Sequence, residues 1–406
     1  MSINTIDHSL SWYEFWNASV QVSERFSPML KKGDRVVVPK DDILSALLTI
    51  GACLLTDAIP VFDERDMLSR EGCLRPEVGL FLGLDLKNNR PIEFDWQEFM
   101  DDDSLGLIIS TSGSSGHPKA IEKSWGGLFR EASYLETLHQ LAPASSIASF
   151  VKPFHLYGIL HSFLLPLINR GSVYFPQKGS LQNISLLKPS IDLLVSTPAH
   201  WAISKHTFKK REIRRFVTSG SRFSEHNRRE LMALPNKPDH CINIIGSSET
   251  GGFAYSRLDQ SPLFKAFDTV TMINDAKEIS SPFTLPRSTV YTLDDVFEIC
   301  DSGELLFKGR GDRCFKHNGH KFSLVEIENV LEKISGNEAI CSYVEQPMKE
   351  RGELLGFIAN TKKADLRSLA EKFNAEYPGL PCPELIMVDQ IPRNDLGKKS
   401  LGSLKK

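Results

Sequence analysis

The sequence LGLIISTSGSSGHPK spans residues 105–119 and joins two contrasting patterns. Residues 105–110 form a short run rich in Leu and Ile, which predicts a buried β-strand. Residues 110–119 then supply five hydroxyl groups and two glycines, followed by Pro118 and Lys119, a composition that no helix tolerates. Such a loop can turn backbone N–H groups and hydroxyls toward a phosphate, while the lysine adds positive charge. Taken alone, the same composition also fits a polar surface loop.

Strands alternate with helices on the carboxyl side of this loop, and we expect the loop to lead into a helix. Apolar spacing predicts helices at 125–138, 158–168 and 224–233. Strands are predicted at 172–175, 191–196, 215–218 and 241–245. This alternation indicates βαβ units with mostly parallel sheets, so we predict an α/β fold.

The pattern changes after Gly252. Residues 253–310 are β-rich, and a compact α+β unit follows, with helices predicted at 323–334 and 364–377. We place a domain boundary within the sequence GRGD, which predicts a large domain of residues 1–310 and a small domain of residues 311–406.

The composition is that of a globular metabolic enzyme. The 406 residues are 41% hydrophobic and 24% charged. A net charge of −3 argues against nucleic-acid binding as the main role. Seven cysteines, none spaced as CxxC, predict neither a disulfide framework nor a zinc site. We found no signal peptide pattern and no apolar run of the ~20 residues that a membrane span needs. We therefore expect a cytoplasmic protein with no membrane span.

Three further clusters carry chemistry. In IIGSSETGG, residues 244–252, a strand leads into a hydroxyl-rich turn that presents Glu249. A carboxylate near a polyphosphate can hold Mg²⁺, although a capping or solvated glutamate would give the same pattern.

In YTLDD, Asp295 lies fifteen residues before Arg310. Together they can hydrogen-bond both hydroxyls of a ribose, or they are a turn residue and a surface ion-pair partner.

The third of these clusters is the C-terminal sequence IPRNDLGKKSLGSLKK, residues 391–406. A lysine just after Gly397 on a mobile tail can reach a negative charge that forms only transiently. Its alternative interpretation is a basic, solvated terminus.

In this order and spacing, the clusters resemble the adenylate-forming enzymes. That family includes acyl- and aryl-CoA synthetases, luciferases and peptide-synthetase adenylation domains. Its phosphate loop, roughly TSGSTGxPK, matches residues 111–119 with Ser115 in place of Thr. Its YGxTE motif matches residues 245–249, with Ile245 for the aromatic residue and Ser248 for Thr.

The resemblance extends into the carboxyl-terminal part of the chain. The family motifs TGD and GRxDxxxKxxGxRIxxxEIE match residues 293–295 and 309–328, with Lys321 where Arg is usual. The motif PRTxxGKxxR matches residues 392–401 and puts Lys398 on the family lysine. Two weaker matches are PFHLYG, which resembles the entrance to the acyl pocket, and VTSGSRFS, which resembles the segment that flanks adenine. The resemblance covers roughly residues 105–400.

The resemblance implies a multi-subdomain fold. It has a large N-terminal αβ-layered domain and a small mobile α+β C-terminal domain that swings about Asp312. Because the phosphate loop begins near residue 111, we expect the first N-terminal subdomain to be shortened.

The resemblance also implies two half-reactions, which need ATP and Mg²⁺. In the first, a carboxylate attacks the α-phosphate of ATP, with Lys398 stabilising the charge and Glu249 binding Mg²⁺. In the second, a thiol displaces AMP through a tunnel formed by Lys316, Gly319 and Lys321. The implied catalytic residues are Lys398, Glu249, Ser248 and His155, although His155 is equally well interpreted as a core histidine. The implied ATP-binding residues are Thr111, Ser112, Gly113, Ser114, Ser115, Gly116, Lys119, Ser219, Gly220, Ser221, Ile245, Gly246, Ser247, Ser248, Asp295 and Arg310.

The substrate and the acceptor are less closely defined. The details TSGSSGHPKAIEKSW and GSSETGGFAYSR are more similar to short bacterial acyl- or aryl-acyl carrier protein synthetases, of fatty-acid-like or aryl-polyene pathways, than to long-chain acyl-CoA ligases. We therefore expect transfer of a fatty or aromatic acid to an acyl carrier protein. The alternatives are a ligase that uses free CoA, an amide-forming ligase, and a non-catalytic nucleotide- or acyl-binding scaffold.

Overall fold

The computed structural model describes residues 2–5, 8–26, 30–63, 72–76, 81, 83–85, 92, 94–112, 118–176, 184, 187–220, 223–317, 320–344, 353–359, 365–393, 399–401 and 404. The helices are α1 (Trp12–Phe26), α2 (Ile43–Thr56), α3 (Trp125–Leu138), α4 (Leu156–Ile159), α5 (Leu165–Ile168), α6 (Trp201–Lys210), α7 (Glu225–Met232), α8 (Leu324–Ser335) and α9 (Asp365–Glu376).

The strands of the amino-terminal half are β1 (Ser2–Asn4), β2 (Ser9–Ser11), β3 (Arg35–Val37), β4 (Ile59–Phe62), β5 (Cys73–Leu74), β6 (Leu105–Ser112), β7 (Pro118–Ser124), β8 (Ser146–Ser149), β9 (Ser172–Tyr174) and β10 (Ser190–Ser196). The remaining strands are β11 (Glu212–Thr218), β12 (His240–Ser247), β13 (Gly251–Arg257), β14 (Lys265–Ala266), β15 (Thr271–Ile273), β16 (Glu278–Ser280), β17 (Val290–Thr292), β18 (Asp295–Ile299), β19 (Leu305–Arg310), β20 (Cys314–His317), β21 (His320–Ser323), β22 (Ala339–Val344), β23 (Glu353–Ala359) and β24 (Glu384–Val388).

Two large sheets form most of the molecule. The nine-stranded sheet has the order β14-β13-β12-β11-β10-β8-β9-β1-β2, and the five-stranded sheet has the order β5-β3-β4-β6-β7. The inner strands of the larger sheet, from β12 to β1, run parallel to one another. In the smaller sheet only β7 is antiparallel to its neighbour. The predicted α/β class with mostly parallel sheets is therefore what the structure shows.

The segment after the hydroxyl-rich loop differs from our expectation. Residues 118–124 do not begin a helix but return as β7, antiparallel to β6, with Thr111 opposite Lys119. The helix α3 begins only at Trp125, where the side chain of Ser124 accepts a hydrogen bond from the Gly127 amide. A helix dipole therefore does not point directly at the loop, because a seven-residue strand intervenes.

The predicted elements agree with the structure to within a few residues elsewhere. The helix predicted at 323–334 is α8, which has Ser323 as its N-cap and Gly336, at φ +72°, as its C-cap. These are the residue types that end helices, because serine accepts from free amides and glycine adopts a left-handed conformation without strain. None of the helices among the described residues combines the length and the apolar character needed to cross a bilayer.

The apolar core divides between Phe307 and Phe315, around the predicted domain boundary. One large cluster and three smaller ones are built from residues between Ile3 and Phe307. Two further clusters are built from residues between Phe315 and Leu404. The predicted boundary at residue 310 remains a prediction.

A buried histidine pair joins α3 to the helix that follows β8. The predicted helix at 158–168 is α4 and α5 joined by a π-helical turn, Leu160–Leu164. In this turn, His161 Nδ1 lies 3.1 Å from the carbonyl oxygen of Tyr157, and His161 Nε2 lies 3.2 Å from Nε2 of His139. A carbonyl only accepts, so His161 carries a proton on Nδ1. Because burial lowers the pKa of both rings, the neutral forms are favoured at pH 7, and a neutral His161 accepts from His139 through Nε2.

The histidine pair predicts a loss of stability in acid. Burial lowers the pKa of His161 from 6.5 to about 4 and lowers the pKa of His139 as well. The unfolded state binds more protons between pH 6.5 and 4, so the free energy of unfolding should fall as the pH drops through this range. The His161 contribution should be roughly 3 kcal/mol, because one pKa unit corresponds to about 1.4 kcal/mol.

Urea unfolding at several pH values between 7 and 4 measures this slope. The double variant His139→Leu/His161→Leu should show a shallower slope than the wild type. His8→Gln, at an exposed position outside the buried pair, is the control for replacing a histidine as such. Equal slopes in the wild type and the double variant would contradict the assignment.

Candidate functional site

A strand of one sheet and a turn of the other meet at Lys119 and Glu249. Lys119 lies near the start of β7, and Glu249 lies in the turn between β12 and β13. Lys119 Nζ lies 3.5 Å from Glu249 Oε1, and the two side chains are 60% and 28% exposed. A cation from the loop motif and a carboxylate from the second motif therefore share one partly open location.

The turn that carries Glu249 is closed by its own side chains. Ser247 Oγ lies 3.0 Å from Thr250 Oγ1 and accepts a hydrogen bond from the Thr250 amide at 3.2 Å. Two glycines are required here: Gly251 has φ +75°, and a Cβ on Gly246 would lie 2.5 Å from the carbonyl oxygen of Gly251. The predicted residues Ile245, Gly246, Ser247 and Ser248 all lie along this strand end and turn.

Two buried charged residues lie beneath the turn, and the sequence motifs do not include them. Lys123, in β7, is fully buried and donates to the carbonyl oxygens of Glu249 and Phe283, both at 3.1 Å. Glu131, in α3, is 2% exposed and accepts from the Gly252 amide at 2.6 Å. The sequences AIEKSW and GGLFREA each hold further polar residues, so no sequence signal distinguishes Lys123 or Glu131 from a solvated side chain.

The pKa values of these two groups move toward each other. Burial lowers the pKa of Lys123 to about 8, although the charges of Glu131 and Glu249 oppose the change. Burial likewise raises the pKa of Glu131 to about 7, against the charge of Lys123 and the hydrogen bond from Gly252. Each of the two charges therefore opposes the effect of burial on the pKa of the other.

The predicted ribose residues face each other. Strands β18 and β19 are antiparallel, and their register places Asp295 directly opposite Arg310. The sequence separates the two residues by fifteen positions, and the hairpin brings their backbones together. The register therefore places the backbones of both predicted residues at the same end of this two-stranded sheet.

The glycine-rich segment after β11 lies beside β12. Ser219 Oγ donates to the carbonyl oxygen of Ile244 at 2.9 Å, so this hydroxyl links the ends of the two strands. Gly220 follows with φ +87°, a conformation that favours glycine. These two residues therefore lie next to the strand that leads to Glu249.

The helix predicted to border the acyl pocket begins after His155. His155 is the N-cap residue of α4 and is partly exposed. Two residues further on, Tyr157 Oη lies 3.0 Å from the carbonyl oxygen of Ser196 and 3.2 Å from that of Val217, at the carboxyl ends of β10 and β11. Tyr157 was not among the predicted site residues.

Contacts change partners around Asp312. The Gly311 amide donates to the carbonyl oxygen of Asp294 at 2.7 Å, within the amino-terminal part of the chain. Arg313, by contrast, donates to Glu328 Oε1 at 2.6 Å and to the carbonyl oxygen of Cys341 at 3.0 Å. The two residues on either side of Asp312 thus hydrogen-bond to different parts of the chain.

The structure locates only part of the predicted set. Strands β20 and β21 pair Lys316 with Lys321. The predicted residues Gly113, Ser114, Ser115, Gly116, Ser221, Gly319 and Lys398 lie outside the described residues. Thr111 and Ser112 are placed by their backbone at the end of β6.

The donor set fits a magnesium–nucleotide complex. Among the described residues there is no group of three or more His, Cys, Asp or Glu that could hold a metal ion by itself. Magnesium is typically bound through one or two carboxylates and completes its shell with phosphate oxygens and water. The partly exposed Glu249 beside Lys119 meets that requirement.

A separate cleft of about 890 Å³ lies elsewhere. It is lined by residues at the amino-terminal ends of β11 and β12, including Arg214, Arg215 and His240. The motif residues lie at the opposite, carboxyl-terminal ends of these strands. Ligands of open α/β sheets bind at the carboxyl ends, so we do not assign the reaction to this cleft.

Known proteins resemble this chain in sequence. A family model described as AMP-binding enzyme matches residues 64–311, more than half of the chain. A 4-coumarate–CoA ligase from Rhodobacter capsulatus is 27% identical over 239 residues, which are 57% of this chain and 59% of the ligase. The non-ribosomal peptide synthetase CmlP from Streptomyces venezuelae is 23% identical over 336 residues, which are 74% of this chain and 34% of the synthetase. The alignments therefore span less than two thirds of these relatives.

Solved structures resemble it over the whole chain. ATP-bound MatB from Rhodopseudomonas palustris gives a TM-score of 0.81 at 18% identity and covers 99% of this chain and 94% of its own. The o-succinylbenzoate coenzyme A synthetase MenE from Bacillus subtilis, in complex with AMP, gives 0.80 at 16% identity and covers 100% and 95%. These similarities confirm the predicted fold.

Proposed function

Because this chain belongs to the AMP-binding enzyme family, we propose that it activates a carboxylic acid with ATP and transfers the acyl group to a phosphopantetheine thiol. The observation that carries the proposal is the approach of Lys119 to Glu249, with 3.5 Å between Nζ and Oε1. That contact brings the phosphate-loop lysine and the candidate magnesium ligand together at one edge of the fold.

The first half-reaction forms an acyl-adenylate. A carboxylate oxygen attacks the α-phosphorus of ATP, the bond to the bridging oxygen breaks, and pyrophosphate leaves with the electron pair. The difficulty is electrostatic, since an anion approaches a polyanion. In this proposal Lys119 and the hydroxyl-rich loop hold the outer phosphates, Glu249 binds Mg²⁺, and Lys398 stabilises the charge that develops at the α-phosphate.

Nucleotide binding in this proposal involves two further regions. Asp295 accepts hydrogen bonds from the ribose hydroxyls while Arg310, opposite it in the β18–β19 hairpin, donates to the nucleotide. Ser219, Gly220 and Ile245 lie beside adenine. The hydrogen bond from Ser219 to Ile244 supports this arrangement because it fixes the two strand ends side by side.

The second half-reaction uses a different arrangement of the carboxyl-terminal residues. The thiol sulfur attacks the acyl carbonyl carbon, the thiol proton passes to solvent, and AMP leaves. Residues 311–406 would rotate about Asp312, removing Lys398 and bringing the segment of Lys316, Gly319 and Lys321 to the adenylate. The change of hydrogen-bond partners between Gly311 and Arg313 supports a pivot at this position.

The favoured acceptor is the phosphopantetheine of an acyl carrier protein, and the favoured acid is fatty or aromatic. The motif details around Lys119 and Glu249 support this choice over long-chain acyl-CoA ligases. Free CoA is the alternative acceptor, and the similarity to a 4-coumarate–CoA ligase supports it. A scaffold that binds nucleotide without reacting is the alternative of another class.

ATP–pyrophosphate exchange tests the proposed activity. We expect exchange that depends on a carboxylic acid from a panel of fatty, hydroxylated and aromatic acids, and on Mg²⁺. The acid that gives the fastest exchange identifies the substrate class. Folded protein that shows no exchange with any acid would contradict the proposal and favour the scaffold.

Two variants should affect opposite half-reactions. Lys398→Ala should slow adenylate formation by about 10²–10³-fold, since it removes charge stabilisation in the transition state. It should leave thioester formation from a supplied acyl-adenylate largely intact. Gly319→Leu should slow the thioester step and spare exchange, because a side chain would fill a narrow tunnel. If either variant lost both steps equally, the assignment of two arrangements would be wrong.

Acceptor preference is measured with one acid held fixed. Thioester formation should be faster with a phosphopantetheinylated acyl carrier protein than with an equal concentration of free CoA. The reverse order would make the chain an acyl-CoA ligase. Product formed only with an amine, and not with either thiol, would indicate the amide-forming alternative.

A further inference from the structure

Lys123 and Glu131 form a buried pair beneath the turn that carries Glu249, and the proposed chemistry does not use either of them. Lys123 Nζ donates to the carbonyl oxygens of Glu249 and Phe283, both at 3.1 Å. Glu131 Oε1 accepts from the Gly252 amide at 2.6 Å. The turn is therefore hydrogen-bonded to β7 at Glu249 and to α3 at Gly252, and these two elements follow the phosphate loop.

The position of Lys123 in β7 is specific. Lys119, Ile121 and Lys123 lie on one face of the strand, because side chains alternate with a period of two. The exposed Lys119 reaches the carboxylate of Glu249, and the buried Lys123 reaches its carbonyl oxygen. One strand thus contacts both the side chain and the main chain of the same glutamate.

Glu131 contacts the two residues that follow the turn, at the start of β13. A Cβ on Gly251 would lie 2.6 Å from Glu131 Oε2, and a Cβ on Gly252 would lie 3.3 Å from Oε1. The carboxylate therefore lies directly against two glycines whose backbone it can approach only because they lack side chains. Within the described residues, Oε2 has no hydrogen-bond partner.

This arrangement is costly for a merely structural element. Two buried charges lose their hydration, and well-packed apolar residues of similar volume often support a fold equally well or better. A fixed pair of charges does provide what an apolar pair does not, namely directional hydrogen bonds to a carbonyl oxygen and to an amide of one turn. The cost is therefore understandable if the exact placement of that turn matters.

We propose that Lys123 and Glu131 are positioning residues that fix the Glu249 turn against the phosphate-loop hairpin and thereby set how strongly Mg²⁺ promotes ATP binding. The proposal rests on the proposed function in assigning Glu249 to Mg²⁺. Neither residue touches the substrate. Both act through the backbone of residues 249–252.

The first experiment needs no nucleotide. Hydrogen exchange is measured on the ligand-free full chain, for the wild type and for Lys123→Met/Glu131→Leu. The double variant removes both charges, so it leaves no uncompensated charge in the interior. Amides of residues 247–252 should exchange roughly tenfold faster in the variant while those of β10 and β11 keep their protection. Unchanged exchange in the turn would overturn the proposal.

The second experiment measures ATP affinity by calorimetry, in EDTA and in excess Mg²⁺. The gain in affinity on adding Mg²⁺ should fall by about 10–100-fold in the double variant, as is typical when residues that orient a metal ligand are lost. The affinity in EDTA should change little. A purely structural role would lower both affinities together or neither, and that result would contradict the proposal.

Single variants refine the assignment. Glu131→Gln keeps an acceptor for the Gly252 amide and should retain most of the Mg²⁺ effect, whereas Glu131→Leu should lose it. Lys123→Met/Glu131→Gln, which also leaves no charge in the interior and keeps an acceptor for the Gly252 amide, serves if the first double variant does not fold. Lys205→Met is a matched control. Lys205, in α6, pairs with Glu230, in α7, with 2.7 Å between Nζ and Oε1, and neither residue contacts the Glu249 turn in the hydrogen bonds described above. This control should behave as the wild type in both experiments.

Coupling to Glu249 separates this proposal from the proposed function. In a Glu249→Gln background, the double variant should cause no further loss of the Mg²⁺ effect, and additive losses would contradict action through Glu249. A wild-type protein that binds no ATP would remove the proposed function. The exchange rates of the ligand-free turn would still decide whether Lys123 and Glu131 position it.

Discussion

The contact between β7 and the turn at Glu249 joins the two main sheets. The strand β7 is the edge of the five-stranded sheet, and the turn lies between β12 and β13 of the nine-stranded sheet. Lys119 meets the carboxylate of Glu249 and Lys123 meets its carbonyl oxygen. The geometry of the candidate site therefore depends on how the sheets sit together, and the hydrogen bond from the buried Lys123 ammonium group to the Glu249 carbonyl oxygen links the two directly.

Periodicity was a reliable guide to elements whose environment is uniform. The helix α3 was predicted with its observed bounds, and α8 was predicted to within a residue, because apolar spacing and capping residues agree in both. The strand β7 was missed because PKAIEKS alternates polar and apolar residues only weakly, and its pairing with β6 is a tertiary property. The π turn at Leu160–Leu164 has no sequence signal of its own.

The site was predictable where a motif carries it. Lys119 and Glu249 come from separate motifs and lie together in the structure, and the register of β18 and β19 brings Asp295 opposite Arg310. Lys123 and Glu131, which lie beneath the Glu249 turn, belong to no motif and were not predictable in this way. A lysine within a strand and a glutamate within a helix are ordinarily solvated, and only the packing of α3 under the turn shows that this pair is buried.

The residue pair at the end of the β18–β19 hairpin, Asp295 and Arg310, bears on how the carboxyl-terminal residues would move. Arg310 of β19 stands opposite Asp295 of β18, and Asp312, the proposed pivot, follows Arg310 by two residues. A nucleotide bound to both Asp295 and Arg310 would make the end of the hairpin, next to the proposed pivot, more rigid. With nucleotide bound, the proposed rotation would be confined to very few backbone torsions. The two proposed arrangements would then be two discrete states rather than the ends of a continuous range.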